Sequence, residues 1–321
     1  MENRRTTGMR KPQTYIGLAL FLLALMPLLQ IDARNYILQI LIFLFLNITL
    51  AQSYDIVGGQ MGYINLGHIT FFGVGAYGFG VSFNAGFSFV PAFIAGTLIS
   101  VLFALVFSYP FFRLRGHYFA LASFSLVKLM EYLTINMGEI TGGSNGLKIH
   151  PAERTVEAYY LMFAIAIATV VTGWWVSRSR LGLAMKSIRE DEEVAKDFGV
   201  PALKVKVQAL VISAVFPAML GCVYTWYLNF IDVNQVYGMK VALTPIAMAM
   251  LGGTGLIIGP FIGAVFLYAA EEIIWTNLEH LHGAILGLVV ILVGLFMPGG
   301  LARLPWVERV LDKVGLLERD R

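Results

Sequence analysis

Charge is scarce in this chain. Only 13% of its 321 residues are Asp, Glu, Lys or Arg, about half the share of an ordinary soluble domain. There is a single cysteine, Cys222, in an apolar stretch, which excludes a disulfide framework and a thiolate metal centre. The five histidines, at 68, 117, 150, 280 and 282, are scattered and form no ligand spacing. No Gly-x-x-x-x-Gly-Lys-Ser/Thr segment occurs, so the chain has no loop of the kind that cradles nucleotide phosphates. No clustered nucleophile and base suggests an enzyme, and no cofactor or metal site is expected. The net charge of +3 is too small to imply a nucleic-acid partner.

What fills the sequence is apolar surface. Hydrophobic residues make up 58% and the mean hydropathy is +0.73. A soluble fold of this size has too little interior to hide so much, so lipid is the expected solvent. Stretches approaching the roughly 20 apolar residues that span a bilayer lie near 15–31, 36–54, 61–83, 87–109, 117–137, 158–177, 205–229, 241–257, 259–276 and 283–298. An all-α integral membrane protein of about ten transmembrane helices is expected, with eight to ten compatible with the pattern. The third and eighth runs are glycine-rich, and either could be broken or re-entrant.

Basic residues set the orientation. Arg4, Arg5, Arg10 and Lys11 precede the first span, which reads as uncleaved. Arg113 and Arg115 follow four crossings later. Arg178, Arg180, Lys186, Arg189, Lys196, Lys204 and Lys206 follow six, and Arg303, Arg309, Lys313, Arg319 and Arg321 follow ten. With ten spans all four clusters share one side, the cytoplasm. Arg34, Lys148, Arg154 and Lys240 fall opposite. The expected division is a cytoplasmic tail over 1–14, a transmembrane domain over 15–300 with a cytoplasmic loop at 178–204, and a cytoplasmic tail over 301–321.

That loop carries a short amphipathic helix. Leu181, Met185, Ile188 and Ala195 share one face, with Ala184 and Phe198 at its edges. Lys186/Glu190 and Glu192/Lys196 are i,i+4 pairs on the solvated side, and Gly199 followed by Pro201 ends the helix. The helix could dock into a partner's groove, lie on the membrane surface, or simply order the loop. Elsewhere, Gly58, Gly62, Gly67, Gly73, Gly252, Gly255, Gly259 and Gly263 allow close helix approach. The stretches from Gly58 and from Gly252 echo each other weakly. Asn47, Gln52 and Asp55 are expected to meet water toward the inward end of the second span. Glu271 and Glu272 are expected to reach water or a salt-bridge partner at the outward end of the ninth.

Four segments together resemble a known family. They are Gly59-Gln-Met-Gly-Tyr-Ile-Asn-Leu-Gly-His-Ile-Thr-Phe-Phe-Gly-Val-Gly-Ala-Tyr77; Arg113-Leu-Arg-Gly-His-Tyr-Phe-Ala120 with Thr141-Gly-Gly-Ser-Asn-Gly146; the loop from Arg180 to Gly199; and Leu251-Gly-Gly-Thr-Gly-Leu-Ile-Ile-Gly-Pro260. In order and spacing they resemble the LivM-like permease subunits of bacterial ABC importers for branched-chain amino acids. The resemblance implies an ABC importer permease fold in the inner membrane, with both termini cytoplasmic. It implies a second, LivH-like permease, two cytoplasmic ATPase subunits and a periplasmic binding protein as partners. The loop helix then resembles a coupling helix seated in an ATPase cleft, with Leu181, Ile188, Arg189, Glu190, Ala195 and Gly199 matching its pattern. Asn65, His68, Thr141, Ser144 and Asn145 become candidates for lining the pathway, against the plainer reading of helix-helix hydrogen bonds and a tight turn. Urea or short amides are alternative cargoes within the superfamily. A stand-alone ion-coupled secondary transporter is the competing class.

One departure carries a consequence. Where the family has an acidic residue followed three later by a basic one, this chain has Lys128 and Glu131. Residues three apart face each other on a helix, and a lone charge in lipid is costly, so a mutually neutralising pair is expected rather than a substrate contact. Lys128→Ala alone is therefore expected to lower the yield of membrane-inserted protein more than Lys128→Ala with Glu131→Ala. Equal loss in both variants would count against the pair.

Overall fold

The computed structural model describes residues 23, 25–28, 34–277, 287 and 300–304. The expected first and tenth spans and both tails lie wholly or largely outside them. The described helices are α1 (Arg34–Gly58), α2 (Ile69–Asn84), α3 (Phe89–Phe111), α4 (His117–Asn136), α5 (Gly138–Thr141), α6 (Thr155–Arg178), α7 (Arg180–Glu190), α8 (Glu192–Asp197), α9 (Ala202–Leu228), α10 (Val233–Tyr237), α11 (Met239–Gly252) and α12 (Gly259–Asn277). Two dipeptide strands, β1 (Leu147–Lys148) and β2 (Phe230–Ile231), pair antiparallel with Leu147 opposite Ile231. Five helices, α1, α3, α4, α6 and α9, are long and apolar enough to cross a membrane.

Contacts at the helix ends sort the connections into two sets. At one end Arg189 reaches Gly59, Arg115 pairs with Glu193, and Asp55 holds Gly255. At the other Asn84 meets Lys148, Arg154 meets Asn229, and Lys240 pairs with Glu271. Among the described helices, α1, α2, α3, α4, α6, α9, α11 and α12 thus run alternately between the two ends. The basic segments at 113–115 and 178–206 share one end, labelled inner, and Lys148, Arg154 and Lys240 sit at the opposite end, labelled outer.

The core is built on α2 and α9, which pack on each other and on α3, while α1 packs against α6, α9, α11 and α12. Lipid tails offer no hydrophobic contrast with leucine, so close backbone contact and small polar side chains must supply the association. A Cβ added at Gly221 of α9 would stand 2.1 Å from the Phe72 carbonyl oxygen of α2, and one at Gly75 would stand 2.4 Å from that of Ala218. Into the same seam Ser100 Oγ donates to Phe71 O at 2.9 Å and Thr225 Oγ1 to Ala76 O at 3.2 Å. Cys222 is fully buried there. Gly252 and Gly263 likewise let α11 lie against α12.

Two apolar runs are not continuous helices. Residues 61–68 of the third run form turns and irregular backbone, and α2 begins only at Ile69. Asn65 Oδ1 accepts from Gly67 N at 3.0 Å, a local bond that competes with helix. The irregular backbone survives because it is packed in protein and supplied with partners: Gly59 and Gln60 N–H both reach Asp55 O, and Leu66 N–H reaches Ser123 Oγ. In the eighth run α11 stops at Gly253, whose φ is +113°. At about 1.5 Å per residue, α2 and α11 fall short of a hydrocarbon core of about 30 Å.

Gly221→Val should cost about 3 kcal/mol by overpacking the α2–α9 seam, read as a lower thermal-denaturation midpoint in detergent. Gly173→Ala should cost much less, because its added Cβ meets only the Gln52 side-chain amide, at 3.0 Å.

Candidate functional site

The inner end gathers around a lysine. Lys206, near the start of α9, leaves 1% of its side chain exposed. A cation withdrawn this far from water needs a counter-charge and donors' partners in place. Glu192 of α8 supplies the charge, with Lys206 Nζ donating to its Oε2 at 2.6 Å, and Tyr63 supplies its hydroxyl, also at 2.6 Å. Tyr63 donates in turn to Glu192, and its ring lies 4.5 Å beneath the ammonium. Phe112 and Phe119, stacked on each other, wall Tyr63 in edge-on. Lys196 holds the other Glu192 oxygen at 3.0 Å. Burial works to raise the Glu192 carboxyl, but the hydrogen bonds from Lys206, Tyr63 and Lys196 outweigh it and hold it down to about 2.

A second joint lies beside the first. Asp55, fully buried near the end of α1, accepts from Gly255 N at 2.8 Å, and Arg189 Nη1 donates to Gly59 O at 2.6 Å. A Cβ on Gly255 would sit 2.6 Å from Arg189 Nη1. The two glycine-rich segments that echo each other in sequence therefore meet in space, with Arg189 between them. Asp55 and Gln52 do not meet water as expected; both are buried, because α6, α9 and the 253–258 turn close over this end of α1.

The amphipathic stretch forms two helices rather than one. Asp191 is extended (φ −157°, ψ 116°) and caps α8, its carboxylate accepting from Glu193 N and Val194 N at 2.9 and 3.0 Å. Gly199, at φ +84°, closes α8: Gly199 N bonds Lys196 O and Val200 N bonds Ala195 O, the paired pattern that a left-handed residue after a helix produces. The apolar stripe faces this chain's own body. Met185, Ile188 and Ala195 are buried in one cluster with Val57, Val176 and Val205, and Leu181 packs half-buried beside them. Phe198, expected at the edge of that stripe, instead projects outward with 86% of its surface exposed, and Val194 and Leu183 are exposed as well. Arg189, Glu190 and Gly199 are also exposed.

The other candidates divide. Asn65 and His68 are buried in the turn before α2, where His68 Nε2 shares a 3.0 Å hydrogen bond with Ser53 Oγ. Thr141 is buried and donates to the carbonyls of Thr134 and Met137, while Ser144 and Asn145 lie exposed on the outer turn. Lys128 Nζ stands 2.6 Å from Glu131 Oε2 on α4. None of these lines a cavity of about 460 Å³ that lies in the outer half between α1, α11 and α12. Lys206, Tyr63 and Asp55 carry the inner joints, yet sequence reading gave them no such role. In sequence Lys206 is one of several loop cations; its place two residues past the 178–204 loop, inside the apolar run that begins at 205, is the available signal.

Among the described residues, apolar helices that alternate in direction, with a charged loop fastened to one end, are the features of a multi-pass membrane protein. Residues 36–294 match the profile of the family described as branched-chain amino acid transport system / permease component, and the chain belongs to that family. It is similar to the high-affinity branched-chain amino acid transport system permease protein LivM of Salmonella typhimurium, with 24% identity over 79% of this chain and 67% of the relative. It is similar to LivH of the corresponding Escherichia coli K12 system, with 25% identity over 81% of this chain and 92% of the relative. It also matches the autoinducer 2 import system permease LsrC of Enterobacter, with 26% identity over 42% of each chain. No solved structure matches.

Glu192→Gln should destabilise the inner end by about 3 kcal/mol, since it leaves Lys206 buried without a counter-charge. Adding Lys206→Met should recover part of that loss, giving a coupling that a double-mutant cycle reads out. The pH dependence follows from the sign of the shift. Because the folded carboxyl sits below its ordinary 4.5, its stabilisation is complete above about pH 4.5 and is lost as pH falls toward about 2. Hydrogen exchange of α8 should rise across that window in the native protein and not in Glu192→Gln.

Proposed function

We propose that this chain is one of two permease subunits of an ATP-driven, binding-protein-dependent importer, and that it carries branched-chain or other apolar amino acids. It lies in the inner membrane with about ten spans, both termini and the 178–204 loop in the cytoplasm. A LivH-like permease completes the pathway, two ATPase subunits bind the loops, and a periplasmic protein delivers the substrate. The relatives named for branched-chain amino acid transport match about four-fifths of this chain, and the autoinducer 2 permease matches less than half, which favours amino acids as the cargo. Amides and urea remain the alternative cargo.

The observation that carries the reading is the exposed Phe198 at the end of a loop that is otherwise fastened down. An aromatic ring held in water amid charged neighbours is unfavourable by the hydrophobic effect, and a partner that covers it recovers that energy. Here the coupling residues act in two ways. Ile188, Ala195 and Leu181 seat the loop on the permease, Arg189 ties it to Gly59, and Gly199 turns the chain so that Phe198 points out. Phe198, Val194 and Glu190 then meet the ATPase. A handle must transmit displacement rather than absorb it, and the Lys206–Glu192–Tyr63 joint makes this one rigid. ATPase closure would move the loop, and the helices joined to it would open the pathway inward. Lys128 and Glu131 neutralise each other and take no part in substrate contact. Asn65, His68 and Thr141 act as buried joints near the pathway, and Ser144 and Asn145 face the binding protein.

Phe198→Ala should weaken ATPase docking by about 2 kcal/mol, roughly thirtyfold, without lowering the amount of permease in the membrane. Affinity of the purified ATPases for permease-containing nanodiscs reads this directly. Unchanged affinity in both Phe198→Ala and Phe198→Asp would remove Phe198 from the contact. The complete reconstituted system should take up leucine only with ATP. Uptake by this chain alone on an ion gradient would replace the importer reading with a secondary transporter.

A further inference from the structure

The outer cavity has a composition that the fold does not require. Its volume of about 460 Å³ falls within the usual range for small-ligand sites. Phe43 of α1, Phe72 of α2 and Tyr224 of α9 give it an aromatic wall, with Tyr224 centred 5.3 Å from Phe72 and 6.5 Å from Phe43. At the rim, Lys240 of α11 pairs with Glu271 of α12. Lys240 is exposed, and exposed pairs contribute little to stability, so the pair is not explained by holding α11 to α12. In the wall, Gln235 presents a buried Oε1 with no hydrogen-bond partner. A buried acceptor left open is costly in a folded protein and fits a donor that arrives with a ligand.

We propose that this cavity is a transit site for the zwitterion of an apolar α-amino acid. The inference rests on the importer reading and narrows it, because it selects amino acids over uncharged amides. A zwitterion entering a low-dielectric site must replace water around two opposite charges. The Lys240–Glu271 pair offers both replacements by exchanging partners. The ligand carboxylate takes the Lys240 ammonium and the ligand ammonium takes the Glu271 carboxylate, so the net charge of the site does not change. Gln235 Oε1 accepts a further ammonium proton. The apolar side chain lies on Phe43, Phe72 and Tyr224. A ligand with only one of the two charges would gain only one of the two pairings.

The test uses the complete transporter in proteoliposomes with Thr244→Cys, on the cavity wall. Cys222 is buried, so a membrane-impermeant maleimide reports on the new thiol. Leucine at twice its dissociation constant should slow labelling about threefold. 3-Methylbutylamine, which lacks the carboxylate, and 4-methylpentanoate, which lacks the ammonium, should leave the rate nearly unchanged, and Lys240→Met should abolish protection by leucine. Val241→Cys, also on the wall, serves as a second reporter where the first fails to assemble. Normal leucine uptake with no protection at either position, or equal protection by all three compounds, overturns the site. Absence of ATP-driven leucine uptake in the unaltered transporter overturns the amino acid reading itself, and the site with it.

Discussion

Lys206 is a cation placed where water does not reach, and the inner end of the protein is arranged around that fact. An ammonium cannot stay charged in such a place without a carboxylate and further acceptors held at hydrogen-bonding distance. Glu192 comes from the loop, Tyr63 from the irregular turn before α2, and the aromatic wall from Phe112, just after α3, and Phe119, in the first turn of α4. Three segments distant in sequence are therefore fixed to one atom. The interaction specifies position more than it adds net stability, because removing water from both charges offsets much of their attraction.

That constraint fastens the amphipathic loop to the body of the protein. Its apolar stripe is spent on the permease body, Glu192 is locked to Lys206, and Arg189 reaches across to the Gly59 carbonyl. Asp191 breaks the helix so that α8 can turn Glu192 inward while α7 lays Met185 and Ile188 against Val176 and Val205. A single straight helix could not satisfy both. What remains for a partner is the reverse side, ending in Phe198. A force applied there reaches α9 through Lys206, and α1 with the 253–258 turn through Arg189, Gly59 and Asp55.

The outer half follows a different logic. Glycines 75 and 221 draw α2 and α9 together until backbones touch, whereas α1, α11 and α12 keep a cavity between them. Short helices contribute to both. Because α2 and α11 end before a full crossing, their connecting segments can be polar and irregular inside protein, which lipid-facing backbone could not be. The same shortness brings the two glycine-rich turns together at the Arg189 joint.

Much of the helical frame was legible in the sequence. Runs at 36–54, 87–109, 117–137, 158–177, 205–229 and 259–276 each correspond to one helix, because burying a backbone in lipid leaves helix as nearly the only solution and apolar length then marks it. The loop's periodicity likewise gave an apolar stripe. What that stripe would touch was not legible, since Ile188 and Ala195 look the same whether they face a partner or their own chain. Nor could sequence separate Lys206 from its neighbouring cations, or Asp55 from a residue in water. Local pattern fixes which side of a helix is apolar and how long it is. Only tertiary packing decides which surfaces meet, because burial and pairing depend on segments more than a hundred residues away, and so the joint, the exposed Phe198 and the outer cavity belong to the structure alone.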